Sequence, residues 1–156
     1  MKLSLGWEQS VYTLLILANL PAGSSMSSMA IAERLKVSPS YLKKIIKSLV
    51  DEGLLKSTPG KNGGFSLTKK IEDITFYDVF TAVEGRGRIF NSQRLIINFL
   101  GLDSDKGQKC SISDAMNTIE NNLFSTLSKV TLARVKEETE SNYDLSNLKK
   151  WINEND

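Results

Sequence analysis

Histidine is absent from this chain of 156 residues, and cysteine occurs once. One cysteine cannot form an internal disulfide, so a reducing cytoplasm is the expected home. Without histidine there is no side chain whose ordinary pKa suits proton transfer near neutral pH, and no Cys/His group with metal-site spacing. Long hydrophobic runs are also missing. The longest, around residues 14–20, is too short to cross a bilayer, so no membrane partner is expected. The N-terminal stretch has one early basic residue, Lys2, and no suitably placed small-residue cleavage site, which argues against a signal peptide. Phosphate-loop glycines and a nucleophile elbow are absent too. So are internal repeats and low-complexity tracts. These absences lead us to expect no enzyme, no catalytic residue and no metal site.

What remains is an ordinary globular composition, 40% apolar and 24% charged, in a length that suits one generous domain or a small domain with an appendage. The net charge of +2 hides an asymmetry. Residues 1–70 hold ten Lys/Arg against four acidic residues, whereas residues 71–156 hold ten against fourteen. A basic half joined to an acidic half suggests that the first half meets a polyanion.

Periodicity divides the basic half into helices and a ribbon. An apolar stripe of Val11, Leu14, Leu15 and Ala18 predicts a helix over residues 7–20, stopped by Pro21-Ala22-Gly23. Ser28 is the expected N-cap of a short helix over 29–35, with Glu33 and Arg34 outward. Ser38 is the expected N-cap of the next, with Pro39 at its first position, and Gly53 ends it. The period then changes. Residues 54–57 and 65–67 read as two short strands around the turn-rich tip Pro59-Gly60-Lys61-Asn62-Gly63-Gly64.

The second half returns to helices. One is expected over 75–84, capped by Thr75, and a short one over 94–100. A polar loop over 101–109 follows, where Asp103 and Asp105 read as a solvated turn rather than a calcium loop. Ile112, Met116, Ile119, Leu123, Leu127 and Val130 then recur at threes and fours, predicting one long helix over about 112–135. After residue 137 the chain reads as a polar tail ending in a short amphipathic helix.

Helix, short turn, helix and glycine-tipped ribbon is the order of a winged helix-turn-helix. In the helix after Ser38, Leu42, Ile45, Ile46 and Leu49 share one side. Ser40, Lys44 and Lys47 share the other, flanked by Tyr41 and Lys43. A helix pinned by its apolar face, with lysines, a serine and a tyrosine outward, can enter a major groove. The same lysines would also serve simply as a solvated face. At the tip, Lys61 and Asn62 lie between glycines. Gly63 and Gly64 would let backbone approach a phosphate or a minor groove, and would equally suit a tight turn needing positive φ.

The run IAERLKVSPSYLKKIIKSLVDEGLLKS, then GKNGGFSLTK, then ITFYDVFTAVEG, resembles the Rrf-type family of bacterial winged-helix transcriptional regulators, the family of IscR, NsrR and CymR. Met1-Lys2-Leu3-Ser4 resembles the family's opening, and Val130-Thr131-Leu132 the end of its dimerisation helix. The resemblance implies a homodimer on a roughly palindromic double-stranded DNA operator. It assigns Ser38, Ser40, Tyr41, Lys43, Lys44 and Lys47 to operator contact, and Lys61, Asn62, Gly63 and Gly64 to the adjacent minor groove. The chain has Pro59 where many members carry a minor-groove arginine.

Iron–sulfur members hold their cluster with three cysteines before the long helix. Here the loop has only Cys110, aligned by resemblance with the last of them, so no cluster and no other cofactor is expected. Cys110 stays open between a redox-sensitive thiol, favoured by Lys109 and the helix start, and an inert remnant. The expected fold is mainly α with a small β-wing: a winged helix-turn-helix domain plus a long C-terminal dimerisation helix. Its divisions would be 1–85 for DNA binding, 86–137 for dimerisation and effector response, and 138–156 for the tail. The expected function is a cytoplasmic, sequence-specific regulator, a repressor, open to a small-molecule effector or a partner protein. The rival reading is a winged-helix protein-interaction module.

Overall fold

The computed structural model describes residues 3–103, 107 and 109–156. Met1, Lys2 and Asp105, which entered the sequence reading, lie outside the described residues. Two compact units emerge, one of residues 1–85 with 127–156, the other of residues 86–126.

In the first unit, α1 (Leu5–Ala18) is the central helix, with Leu14, Ile16 and Leu17 all but inaccessible. Three helices and a ribbon gather round it: α2 (Ser28–Leu35), α3 (Pro39–Asp51), α4 (Phe76–Glu84), and the antiparallel pair β1 (Leu55–Thr58) and β2 (Gly64–Leu67). Ile31, Leu42, Ile46, Leu49, Leu54, Ile74, Val79 and Leu132 complete a shared core, each 1% exposed or less. Trp7 of α1 meets Phe76 and Phe80 of α4 edge-on, with ring centroids 5.5 and 6.3 Å apart. Gly6 makes this approach possible. A Cβ there would lie 3.2–3.3 Å from Val83, Ile45 and Tyr41 at once.

Caps fix the helix starts. Ser27, not Ser28, caps α2: its hydroxyl accepts from the Ala30 N–H, and Ser28 is the first helical residue. Thr75 caps α4 as expected, in a reciprocal box with Asp78. The ribbon gains a strand partner that its own sequence does not announce. Met26, 1% exposed, bridges Phe65 through two backbone hydrogen bonds of 3.1 and 2.8 Å.

The expected single long helix is two helices. α6 (Ser111–Lys129) stops, and α7 (Leu132–Asn142) starts on an N-cap from Thr131, whose hydroxyl accepts from the Arg134 N–H. Between them, the Val130 carbonyl accepts from the Phe76 N–H at 2.8 Å, and the Leu132 N–H donates to the Ile74 carbonyl at 2.8 Å. Pairing to the α4 entry replaces the helical bonds that continuation would have made. The C-terminal stretch ends in the expected amphipathic helix, and α7 runs on to Asn142 where a polar segment was expected. α8 (Ser146–Asn155) buries Ile152 to 1% and sets Trp151 beneath the Arg34 guanidinium, 5.2 Å from the ring centroid. Arg34 Nη2 donates to Asn147 Oδ1 at 2.9 Å, so the half-buried Arg34 is engaged by α8 rather than free in solvent.

In the second unit, the short α5 (Ile96–Phe99) is narrower than the expected 94–100. Glu120 of α6, 8% exposed, accepts from the Ile89 N–H at 2.6 Å and pairs with Arg88 at 3.5 Å. Among the described residues, no helix is long and apolar enough to cross a membrane.

Candidate nucleic-acid interface

α3 has the division of faces that its sequence implies. Leu42, Ile45, Ile46 and Leu49 are buried, while Ser40, Lys43, Lys44 and Lys47 are exposed. The buried row alone, at ~1.5–3 kcal/mol per side chain, holds the helix firmly against α1, α2 and α4. At its far end the Thr81 hydroxyl donates to Glu52 at 3.2 Å. A three-residue turn separates α2 from α3. It opens with Lys36 in the left-handed region, φ 55°, so that the Lys36 and Val37 N–H groups close the end of α2.

The N-terminus of α3 is open. Ser38 is its N-cap and Pro39 stands in its first turn, but the Ser38 hydroxyl makes no capping bond and lies 3.0 Å from the Ser40 hydroxyl instead. The exposed start of this helix therefore carries hydroxyls and a partial positive charge together. Among the described residues, no carboxylate lies within ion-pair distance of Lys43, Lys44, Lys47 or Lys61. Their charge is directed to solvent. Tyr41 is placed differently. It is 37% exposed, and its hydroxyl lies over Gly6 of α1, so part of its role is to pack α3 onto α1.

At the ribbon tip Lys61 and Asn62 are exposed, and the Gly63 N–H closes the turn onto the Gly60 carbonyl at 3.0 Å. Positive φ occurs at Gly60, 114°, and not at Gly63 or Gly64. Those two glycines are demanded by proximity. A Cβ on Gly63 would collide with the Thr58 carbonyl oxygen, and one on Gly64 would meet Met26 backbone at 2.5 Å. Lys56, unremarked in the sequence reading, is exposed on β1 opposite Ser66. Its place next to the apolar Leu54-Leu55 pair, at the start of a polar run leading to the basic tip, is the signal that could have found it.

The other named residues lie elsewhere in the chain. Ile112 and Ile119 of α6 are 66% and 56% exposed; Met116, Leu123 and Leu127 are half-buried, and Val130 lies beyond the helix. Cys110 precedes α6. Hydrogen bonds from the Ser113 N–H and hydroxyl, and from the Ile112 N–H, hold its thiol below the ordinary value.

A family model described as Rrf2, Iron-dependent Transcriptional regulator, matches residues 3–138. The chain is 67% identical over 156 residues to YffB of Lactococcus lactis subsp. lactis, provisionally named an HTH-type transcriptional regulator, covering all of both chains. It is 41% identical over 152 residues to YwgB of Bacillus subtilis, named in the same way, covering 97% of this chain and 95% of the relative. The fold is similar to that of CymR, the global cysteine regulator of B. subtilis, with a TM-score of 0.68 at 21% identity, over 89% of this chain and 98% of CymR.

The family description implies iron, and the side chains present do not suit an iron–sulfur cluster. Such a cluster takes about four thiolate or imidazole ligands. This chain has one cysteine and no histidine. Among the described residues, no three His, Cys, Asp or Glu side chains gather as a metal site. The helix-turn-helix, the wing and the family match converge on one conclusion: the chain belongs to the Rrf2 family of DNA-binding transcriptional regulators, winged-helix proteins that are not enzymes.

Proposed function

We propose that the protein acts as a cytoplasmic homodimeric repressor, reading a palindromic operator with α3 and its wing. The observation that carries this is the two-faced α3, with four apolar side chains buried and three exposed lysines presented outward. Ser38, Ser40 and Tyr41, at the helix start, would meet base edges; Lys43, Lys44 and Lys47 would meet phosphate. Lys61, Asn62, Gly63 and Gly64 would follow the flanking minor groove, with Lys56 adding charge behind them. Two copies would join through the α6 stripe of Ile112, Met116, Ile119, Leu123 and Leu127. Ile112 and Ile119, 66% and 56% exposed, gain most from being covered, up to ~1.5–3 kcal/mol each, and the half-buried Met116, Leu123 and Leu127 gain less. Two half-sites about one helical turn, ~34–36 Å, apart would suit such a dimer.

Genomic footprinting with the purified full chain tests the reading, alongside sedimentation at micromolar concentration. The expected result is a dimer protecting inverted-repeat sites, with affinity falling steeply as salt rises. A folded monomer, or binding indifferent to salt and sequence, would favour a protein-interaction role.

A further inference from the structure

The unit of residues 86–126 contains a half-open cavity of about 550 Å³. Phe90, Leu95, Ile96, Phe99 and Ile112 supply its apolar walls, and Cys110 lines it beside them. Among the described residues, Lys109 is the one charged side chain on its lining. The volume falls within the range of ~300–1,000 Å³ common to small-molecule sites, which pair apolar walls with a few polar groups.

One wall is tied down, and the other is closed on itself. The segment bearing Phe90 is tied to α6 through the Ile89 N–H and Arg88, both engaged by the buried Glu120. α5 is closed at its end by the Leu102 and Gly101 N–H groups, which donate to the Ile97 and Asn98 carbonyls at 3.0 and 3.1 Å. Gly101 makes that closure with a φ of 65°. On this short frame Leu95 is 61% and Phe99 84% exposed. Large apolar side chains held open around a concavity gain most from an apolar occupant.

We propose that this cavity binds a small planar apolar molecule, neutral or singly anionic, of about one or two fused rings. Two phenylalanine rings favour an aromatic occupant through edge and offset stacking. Among the described residues the lining offers a lysine and no carboxylate, which disfavours a cation. The chemistry names the effector class of the regulator proposed above, and rests on that reading only for its consequence on DNA.

Cys110 is the sole cysteine, so it reports occupancy in the intact protein without labels. The rate of its alkylation by iodoacetamide is followed by mass spectrometry as 1-naphthol is added to the full chain. The expected result is a saturable fall in rate of tenfold or more. Phe99→Ala removes an exposed wall without touching the core, and should weaken the apparent naphthol affinity about tenfold while circular dichroism stays unchanged. A rate indifferent to naphthol overturns the proposal. So does equal protection in Phe99→Ala, or protection that depends on protein concentration alone, which would mean that a second copy fills the cavity. Operator affinity is measured separately with and without naphthol. Protection of Cys110 with unchanged operator affinity upholds the site and removes only its effector role. Failure of the wild-type protein to bind DNA at all tells against the regulator reading and leaves the cavity result intact.

Discussion

Gly64 is an exacting position in the wing. The Cβ introduced by Gly64→Ala would lie 2.5 Å from the carbonyl carbon and oxygen of Met26, and 2.8 Å from its nitrogen. These atoms are backbone and cannot turn aside as a flexible side chain would. The strand must therefore separate from Met26 and give up the two hydrogen bonds of the Met26–Phe65 bridge. Losing both costs about 2 kcal/mol, at ~1 kcal/mol each. Forced overpacking adds ~1–3 kcal/mol, giving a loss of about 3–5 kcal/mol. That is a large part of the ~5–15 kcal/mol that stabilises a typical domain. Gly87→Ala is the control, because a Cβ there meets nothing within 4 Å and its φ is not positive. Urea unfolding should show the large loss for Gly64→Ala and a change within ~0.5 kcal/mol for Gly87→Ala. Should Gly64→Ala cost less than about 1 kcal/mol, the close approach of wing and Met26 is not as described.

Other positions give further tests. Among the described residues the Thr13 hydroxyl, fully buried on α1, has no hydrogen-bond partner, so Thr13→Val should raise stability by about 1 kcal/mol in thermal unfolding. Thr131→Ala removes the cap that starts α7 and should cost ~1 kcal/mol; a neutral result would mean that the helix break is held by backbone pairing alone. The depressed Cys110 pKa should move the pH midpoint of its alkylation below that of the urea-unfolded chain. The thiolate also contributes to folding. Its stabilising contribution is full above the ordinary thiol value and is lost as pH falls through the lower folded value.

Local patterns made much of the fold readable. α3 could be placed because its apolar period, Pro39 and Gly53 agree on one helix, and agreement across levels is what specifies a structure. The wing was legible from its turn residues. The features that escaped depend on distant partners. Thr131 sits inside an apolar period that runs on at threes and fours, and only pairing with the α4 entry turns it into a cap. α8 was legible as a short amphipathic helix, but its docking was not, because its partner Arg34 is 113 residues from Asn147. Met26 stood alone in a serine-rich linker with no alternation to mark a strand. At the site, exposure of Lys43, Lys44 and Lys47 followed from helical geometry. The packing of Tyr41 over Gly6 needed the approach of α1, which no local pattern encodes.

The most direct test is the salt dependence of operator binding for the wild type and for Lys44→Ala/Lys47→Ala, with fold and dimerisation checked by circular dichroism and sedimentation. If both lysines meet phosphate, affinity falls for all DNA sequences alike. The slope of log affinity against log salt flattens by roughly two per subunit, at ~0.9 for each phosphate neutralised. An equal affinity and an unchanged slope in a folded double variant would contradict the placement of α3 on DNA.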